Sequence, residues 1–233
     1  MIQLKEIKEA LLHLFFPHVC ASCGNDTLNK ESQLCIVCLS ALPETNFHPH
    51  KNNPVEKIFW GRLQLSNATA HYYFTKESAM QRLMQEFKYN GNKELGLQLG
   101  RLMGESLRQS NRFDSIDALI AIPLFPSKER KRGFNQAEIL CEGIAEKMKI
   151  PILKNCIARM QHTQTQTKKG RTERWKNMEG KFTLLHELAI ENKHLLLVDD
   201  VVTTGATLEA CGSELLCGNN TKLSIATLCY ALH

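Results

Sequence analysis

Apolar residues recur along this chain in two rhythms. Short uninterrupted runs, Leu195 to Val198 and the stretch from Asp117 to Ile122 that Pro123 stops, have the length of strands buried on both faces. Other apolar residues fall at helical spacing: Met80, Leu83, Met84 and Phe87; Leu95, Leu99, Leu102 and Met103; Ile139, Leu140, Ile144 and Met148; Leu208, Cys211 or Gly212, and Leu215. PILKNCIARM supplies a further strand, Phe182 to Ile190 follow, and Leu223 to Leu232 supply a last strand. Strands alternating with helices predict an α/β fold, a doubly wound and mainly parallel sheet. The runs Ile58 to Leu65 and Ala68 to Phe74 read as a hairpin closed near Ser66 and Asn67. Near the start, Leu4, Ile7, Leu11 and Leu14 trace one helix face that Pro17 ends. Lys5, Glu6, Lys8 and Glu9 interrupt that stretch in a way unlike a signal peptide, and no apolar run approaches the roughly 18 residues that cross a bilayer. A cytoplasmic location is expected.

The run Leu195 to Val198 ends in acid. Asp199 and Asp200 would be costly in a core without cations or donors, so they belong at the carboxyl edge of the sheet, where open α/β folds bind ligands. Val201 and Val202 follow, then Thr203, Thr204, Gly205, Ala206 and Thr207, small or hydroxyl-bearing residues that lead into a helix. Free backbone N–H groups, a positive helix end and threonine hydroxyls in this order make a phosphate cradle. Neither a Walker A lysine nor a G-x-G-x-x-G fingerprint is present.

Cys20, Cys23, Cys35 and Cys38 spell C-x2-C-x11-C-x2-C, two knuckles able to place four sulfurs around Zn²⁺. Disulfides fit poorly with nine cysteines, an odd number, in a chain expected in the cytosol. Cys141, Cys156, Cys211, Cys217 and Cys229 lie singly in apolar patterns and read as small core residues. The proline- and asparagine-rich stretch 43–57, with His48 and His50 read as linker histidines, separates a zinc module over residues 1–45 from a main domain over 46–233.

Composition adds little until charge is located. The 233 residues are 43% apolar and 23% charged with a net charge of +5, as in a soluble globular protein. Residues 124–181 hold fourteen Lys and Arg against six Glu and no Asp, a balance of +8, which leaves −3 for the rest. A cationic middle suits a polyphosphate site or a nucleic-acid surface. Its charges concentrate in two places. Lys128, Arg130, Lys131 and Arg132 form a basic loop before Gly133, with a helix opening at Phe134 to Asn135. Lys168, Lys169, Arg171, Arg174 and Lys176 stud the aperiodic stretch from Gln161 to Lys181. Lys88, Tyr89 and Gly91 make a basic and aromatic turn that suits either a substrate contact or a helix-to-helix joint.

Together these motifs resemble the ComF-type competence proteins, a branch of the type I phosphoribosyltransferases. The resemblance rests on the cysteine knuckles, on Phe87-Lys88-Tyr89 with Gly91, on Ile122-Pro123-Leu124 followed by Arg132-Gly133-Phe134-Asn135-Gln136-Ala137, and on the loop Asp199 to Thr207. Arg159, Thr163, Gln166, Arg174, Asn177 and Phe182 extend it. It implies a phosphoribosyl-diphosphate (PRPP) site in which Asp199 and Asp200 hold ribose hydroxyls and help place Mg²⁺, while Thr203 to Thr207 cradle the 5′-phosphate. Arg132, Lys168, Lys169, Arg171 and Arg174 are then the pyrophosphate and lid residues. The resemblance also implies a role in DNA uptake during natural transformation. Thr203 stands where purine-salvage relatives carry an acid able to serve as base, which disfavours that chemistry. Met1 and Ile2 give no cysteine nucleophile for an amidotransferase half. Two readings follow: an enzyme that displaces pyrophosphate from PRPP, with its acceptor and catalytic residues unassigned, or a non-catalytic module that binds PRPP or another phosphorylated ribose and engages single-stranded DNA or competence-machinery proteins.

Overall fold

The computed structural model describes residues 18–26, 28, 32–159 and 182–232. Helices α1 (Ile36–Ser40) and α2 (Pro54–Ile58) precede strand β1 (Asn67–Phe74). Helices α3 (Ala79–Tyr89) and α4 (Lys93–Gln109) lead to β2 (Ala118–Ala121), and α5 (Pro126–Arg132) and α6 (Gln136–Met148) lead to the short strand β3 (Ile157–Arg159). Strands β4 (Phe182–Leu184) and β5 (His194–Val202), helix α7 (Ala206–Leu215) and β6 (Lys222–Ala231) complete the described chain.

Four strands form one parallel sheet in the order β1-β6-β5-β2. A parallel bridge from Leu119 to Ile152 continues it beyond β2, while β3 and β4 pair antiparallel by themselves. This is the doubly wound α/β architecture that the alternation of strand and helix predicts. Successive side chains of β5 enter opposite layers. Leu196 and Val198 join a core with Leu99, Leu140 and Ile144 from α4 and α6; Leu195 and Leu197 join another with Val55, Phe59, Leu208 and Cys211. The uninterrupted apolar run is thus explained by burial on both faces.

Helices α4 and α6 sit unusually close. A Cβ on Gly143 would lie 2.5 Å from the Leu97 carbonyl oxygen, and one on Gly100 would lie 2.5 Å from that of Leu140. Glycines here let two backbones meet over the sheet.

Three expectations are revised. The stretch from Ile58 to Leu65 is not a hairpin arm: Asn53 caps α2 by accepting from the N–H groups of Val55 and Glu56, Pro54 opens the helix, and β1 pairs parallel with β6. The basic stretch before Gly133 is a short helix with no buried residue, opened by Pro126 and stopped by Gly133 at φ 81°; without an apolar stripe it carries no periodic signal. Cys217 is exposed, unlike Cys141, Cys156, Cys211 and Cys229.

Candidate functional site

The chain leaving β2 returns on that strand's outer side, at Ile152, whereas the chain leaving β5 returns on the other side, as β6. The connections diverge between β2 and β5, and the crevice outside their carboxyl ends is where such sheets receive ligands. Ala121 pairs with Val198, the last register pair of these strands, so Asp199 and Asp200 stand past the end of β2 while remaining paired or flanked along β6. The structure therefore puts the acid pair at the mouth of the crevice, on an edge still held by the sheet.

Asp200 is not free. Its Oδ2 lies 2.8 Å from Nζ of Lys88 at the end of α3, with both side chains more than four-fifths buried. The Asp200 N–H donates to Oδ1 of Asp199 at 2.7 Å. Burial first, and then the charge of Asp200, push the Asp199 carboxyl up to about 8; the Asp200 N–H, Lys88 and Arg159 oppose this. Lys88 sets its positive charge directly against Asp200 beside it.

Past Val202 the backbone turns sharply. Gly205 has φ 76°, the left-handed region that favours glycine. A Cβ there would also come within 2.7 Å of Ile58 and 2.8 Å of Phe59, so α2 presses directly on the loop. Arg62 donates from Nη1 to the Thr204 carbonyl at 2.9 Å and pairs with Glu209 on α7. Among the described residues no acceptor meets the backbone N–H of Thr203, Thr204 or Gly205. A small hollow is lined by Asp199 and by residues 201–208. Thr203, Thr204 and Gly205 are among the residues that line it.

Basic and aromatic groups border the crevice. Arg132 donates from Nη1 to Oε1 of Gln136 at 2.7 Å, and its guanidinium lies 5.6 Å from the Tyr89 ring centre. Lys88 and Tyr89, one turn in the sequence, thus contact the acid pair and the Arg132 region respectively. Arg159 stacks 4.0 Å over Phe125 and 5.2 Å from Phe182, its register partner. Burial lowers its pKa, against the charges of Asp199 and Cys211. Lys168, Lys169, Arg171 and Arg174 lie outside the described residues, as do Thr163, Gln166 and Asn177. Sequence reasoning missed Arg62 and α2 as the support of the loop; Asn53 followed by Pro54, a helix-start signature, was the available signal.

The four knuckle sulfurs come together as expected, all within 4.8 Å of one another. Cys23 and Cys35 are 3.8 Å apart, close to the edge of roughly 3.8 Å of a tetrahedron built on Zn–S bonds. Burial alone would raise Cys20; the N–H groups of Cys35, Cys23 and Ser22, with the Cys23 thiol, outweigh it and bring Cys20 down to about 6. The cluster has the donors and spacing of a structural metal site. It is seated on α4: the Gln33 N–H donates to Gln98 Oε1 at 2.7 Å, and Cys20 and Leu34 enter the core beneath. His48 and His50 belong to no ligand cluster among the described residues.

Fold and crevice define a doubly wound α/β protein with an acid pair and a small-residue loop at its switch point. The chain is a homologue of proteins named for competence and DNA utilization. It is 28% identical over 197 residues to competence protein F of Haemophilus influenzae, covering 83% of this chain and 76% of that protein. It is 27% identical over 218 residues to the DNA utilization protein YhgH of Escherichia coli K12, covering 92% and 91%. It is 30% identical over 143 residues to competence protein ComFC of Bacillus subtilis, covering 61% and 56%. No family model matches the chain. Among solved structures, a glutamine PRPP amidotransferase from B. subtilis complexed with ADP and GMP aligns over 61% of this chain and 30% of that one, with 16% identity and a TM-score of 0.42. No helix among the described residues is long and apolar enough to cross a membrane.

Proposed function

We propose that this protein binds PRPP, or another phosphorylated ribose, as part of the handling of incoming DNA in the cytoplasm during natural transformation. The observation that carries the ligand is the loop 203–207, which follows the acid pair after two valines, with a left-handed glycine and with the N–H groups of Thr203, Thr204 and Gly205 unpaired among the described residues. In this reading the loop takes the 5′-phosphate, and Asp199 and Asp200 meet the ribose hydroxyls. Their oxygens suit Mg²⁺, a hard cation that would supply charge neutralisation to a bound pyrophosphate. Arg132 extends the cationic border. Lys168, Lys169, Arg171 and Arg174 close over the ligand as a lid, from a segment whose two ends meet at the Arg159 and Phe182 pair. Zn²⁺ held by Cys20, Cys23, Cys35 and Cys38 stabilises the knuckle. The DNA role follows the names of the homologues.

Binding without turnover is favoured by two features: Lys88 already holds Asp200, and position 203 offers a hydroxyl in place of a basic carboxylate. Such a module would engage single-stranded DNA or competence proteins on its basic face, and DNA binding would weaken steeply with salt.

Thermal-shift titration tests the site. Mg-PRPP at a hundred times its dissociation constant should stabilise the wild type by about 2.7 kcal/mol and leave Asp199→Asn with Asp200→Asn unchanged. Equal stabilisation of both proteins places the ligand elsewhere. Arg171→Ala and Arg174→Ala should weaken pyrophosphate-bearing ligands far more than ribose 5-phosphate, and hydrogen exchange over residues 161–181 should slow when Mg-PRPP is added. Unchanged exchange removes the lid.

A further inference from the structure

Phe87, Lys88 and Tyr89 end α3, and successive residues of a helix point about 100° apart, so these three side chains leave in different directions. Phe87 is fully buried, with its ring 5.8 Å from that of Phe134. Lys88 turns to the sheet edge and pairs with Asp200 at 2.8 Å. Tyr89 is 66% exposed, and its ring centre lies 5.6 Å from the guanidinium of Arg132. The chain behind them is fixed as well. The Asn90 N–H donates to the Glu86 carbonyl, Gly91 takes φ 72°, and Asn92 caps α4 while its Nδ2 donates to Oε1 of Gln33 in the cysteine knuckle. One short stretch therefore grips the acid pair of β5 through Lys88 and the basic segment that follows β2 through Tyr89.

Arg132 is held by neutral groups. Its Nη1 donates to Oε1 of Gln136 at 2.7 Å, and its guanidinium lies over the Tyr89 ring. Among the described residues no carboxylate pairs with it, whereas Arg62, Arg101, Arg108 and Arg112 each pair with a glutamate. A guanidinium offers five N–H donors, and among the described residues Gln136 is the acceptor that Arg132 meets. Its charge is thus uncompensated while its orientation is set. A cation ordered in advance loses less freedom when an anion arrives. Tyr89, mostly in solvent, adds little to the core, and the contact its ring makes is with Arg132.

We propose that Tyr89 is a positioning residue that, together with Gln136, orients Arg132 for a second anionic group of the ligand, so that the crevice favours diphosphate-bearing ligands over monophosphates. This role rests on the ribose-phosphate reading for the first anionic group, which the loop 203–207 takes. Loop and arginine belong to different strands: the loop follows β5 and Arg132 follows β2. A monophosphate seated in the loop draws nothing from Arg132, and a ligand with charge beyond that phosphate does. Lys88 and Tyr89, adjacent in the chain, tie the two ends of the crevice to one helix terminus.

Calorimetric titration of the full chain with inorganic pyrophosphate, Mg-PRPP and ribose 5-phosphate tests this in a double-mutant cycle. Arg132→Ala should weaken pyrophosphate about tenfold or more. Tyr89→Ala should weaken it about two- to fivefold, the worth of a cation–π contact at an exposed site. In the Arg132→Ala background Tyr89→Ala should add no further loss, because the ring acts through the guanidinium. Tyr89→Phe keeps the ring and should restore binding, ribose 5-phosphate should bind every variant alike, and Tyr89→Ala should melt as wild type. In the ligand-free protein, nuclear spin relaxation of the Arg132 Nε–H should show a side chain ordered in the wild type and freed in Tyr89→Ala. No pyrophosphate binding at millimolar concentration, equal losses from Tyr89→Ala with and without Arg132, equal losses for ribose 5-phosphate and pyrophosphate, or unchanged titration and relaxation in Tyr89→Ala would each overturn the proposal. A wild type that binds pyrophosphate through Arg132 and Tyr89, but neither Mg-PRPP nor ribose 5-phosphate, would remove the ribose-phosphate reading and leave the role of Tyr89 standing.

Discussion

Lys88 shows how much of this site depends on single contacts. Its ammonium lies 2.8 Å from Oδ2 of Asp200 and sets a positive charge against the acid pair. Removing it leaves a largely buried carboxylate beside another, and breaking such a pair costs about 3–5 kcal/mol. Lys88→Met should therefore lower stability by an amount in that range in urea denaturation, and Asp200→Asn introduced with it should recover most of the loss. A second residue, His71, bears on acid stability. Burial, then the charge of His48, brings its pKa down from 6.5 to about 4. The unfolded chain thus takes up a proton on this group that the native state refuses, so its contribution is present above about 6.5 and is lost as pH falls toward 4. Melting temperature should fall across that window, and His71→Gln should flatten the slope. An equal slope in both proteins assigns the acid sensitivity elsewhere.

At the scale of elements, the close approach of α4 and α6 shapes the layer that covers Leu196 and Val198 of β5. Gly143→Ala gains roughly 1 kcal/mol of helix propensity, yet its Cβ would meet backbone atoms 2.5–2.7 Å away, which cannot swing aside as a side-chain tip can. Overpacking of this kind costs about 1–3 kcal/mol. The variant should be no more stable than wild type, and less stable wherever the helices cannot separate; urea midpoints decide. The elements also show which signals a sequence carries. β5, α3, α4 and α6 were legible because burial on both faces, or along one stripe, writes itself into periodicity. α2 and α5 were not, being one to two turns long and marked only by Asn53-Pro54 and by Pro126 with Gly133. The run from Ile58 to Leu65 reads as an extended segment where the chain instead wraps the loop, with Phe59 buried and Trp60 exposed. The acid pair and threonine loop were readable as a contiguous motif. The Lys88–Asp200 pair was not, since it joins residues remote in sequence through the fold.

For the whole molecule, the question is how far the cysteine knuckle and the α/β domain stand or fall together. Cys20, Leu34 and Leu42 belong to the same apolar core as Phe87, Leu99 and Leu196. Ser32 and Gln33 are bonded to Gln98, and Gln33 to Asn92, at the start of α4. The knuckle therefore covers the end of the helix that follows Lys88, and its loss uncovers apolar surface that the main domain contributes. Burial of such surface is worth about 25 cal/mol per Å², so a few side chains account for several kcal/mol. Cys35→Ser should release the bound metal and unfold the knuckle, while the sheet and its crevice persist with reduced stability. Elemental analysis should find one zinc per wild-type chain and less in the variant, and circular dichroism should show an α/β domain that melts earlier. Chelation of the wild type should reproduce the lower melting temperature, with zinc restoring it. A metal-free wild type that melts at the same temperature as the zinc-loaded protein would show that the four thiols hold their places through packing on α4 alone.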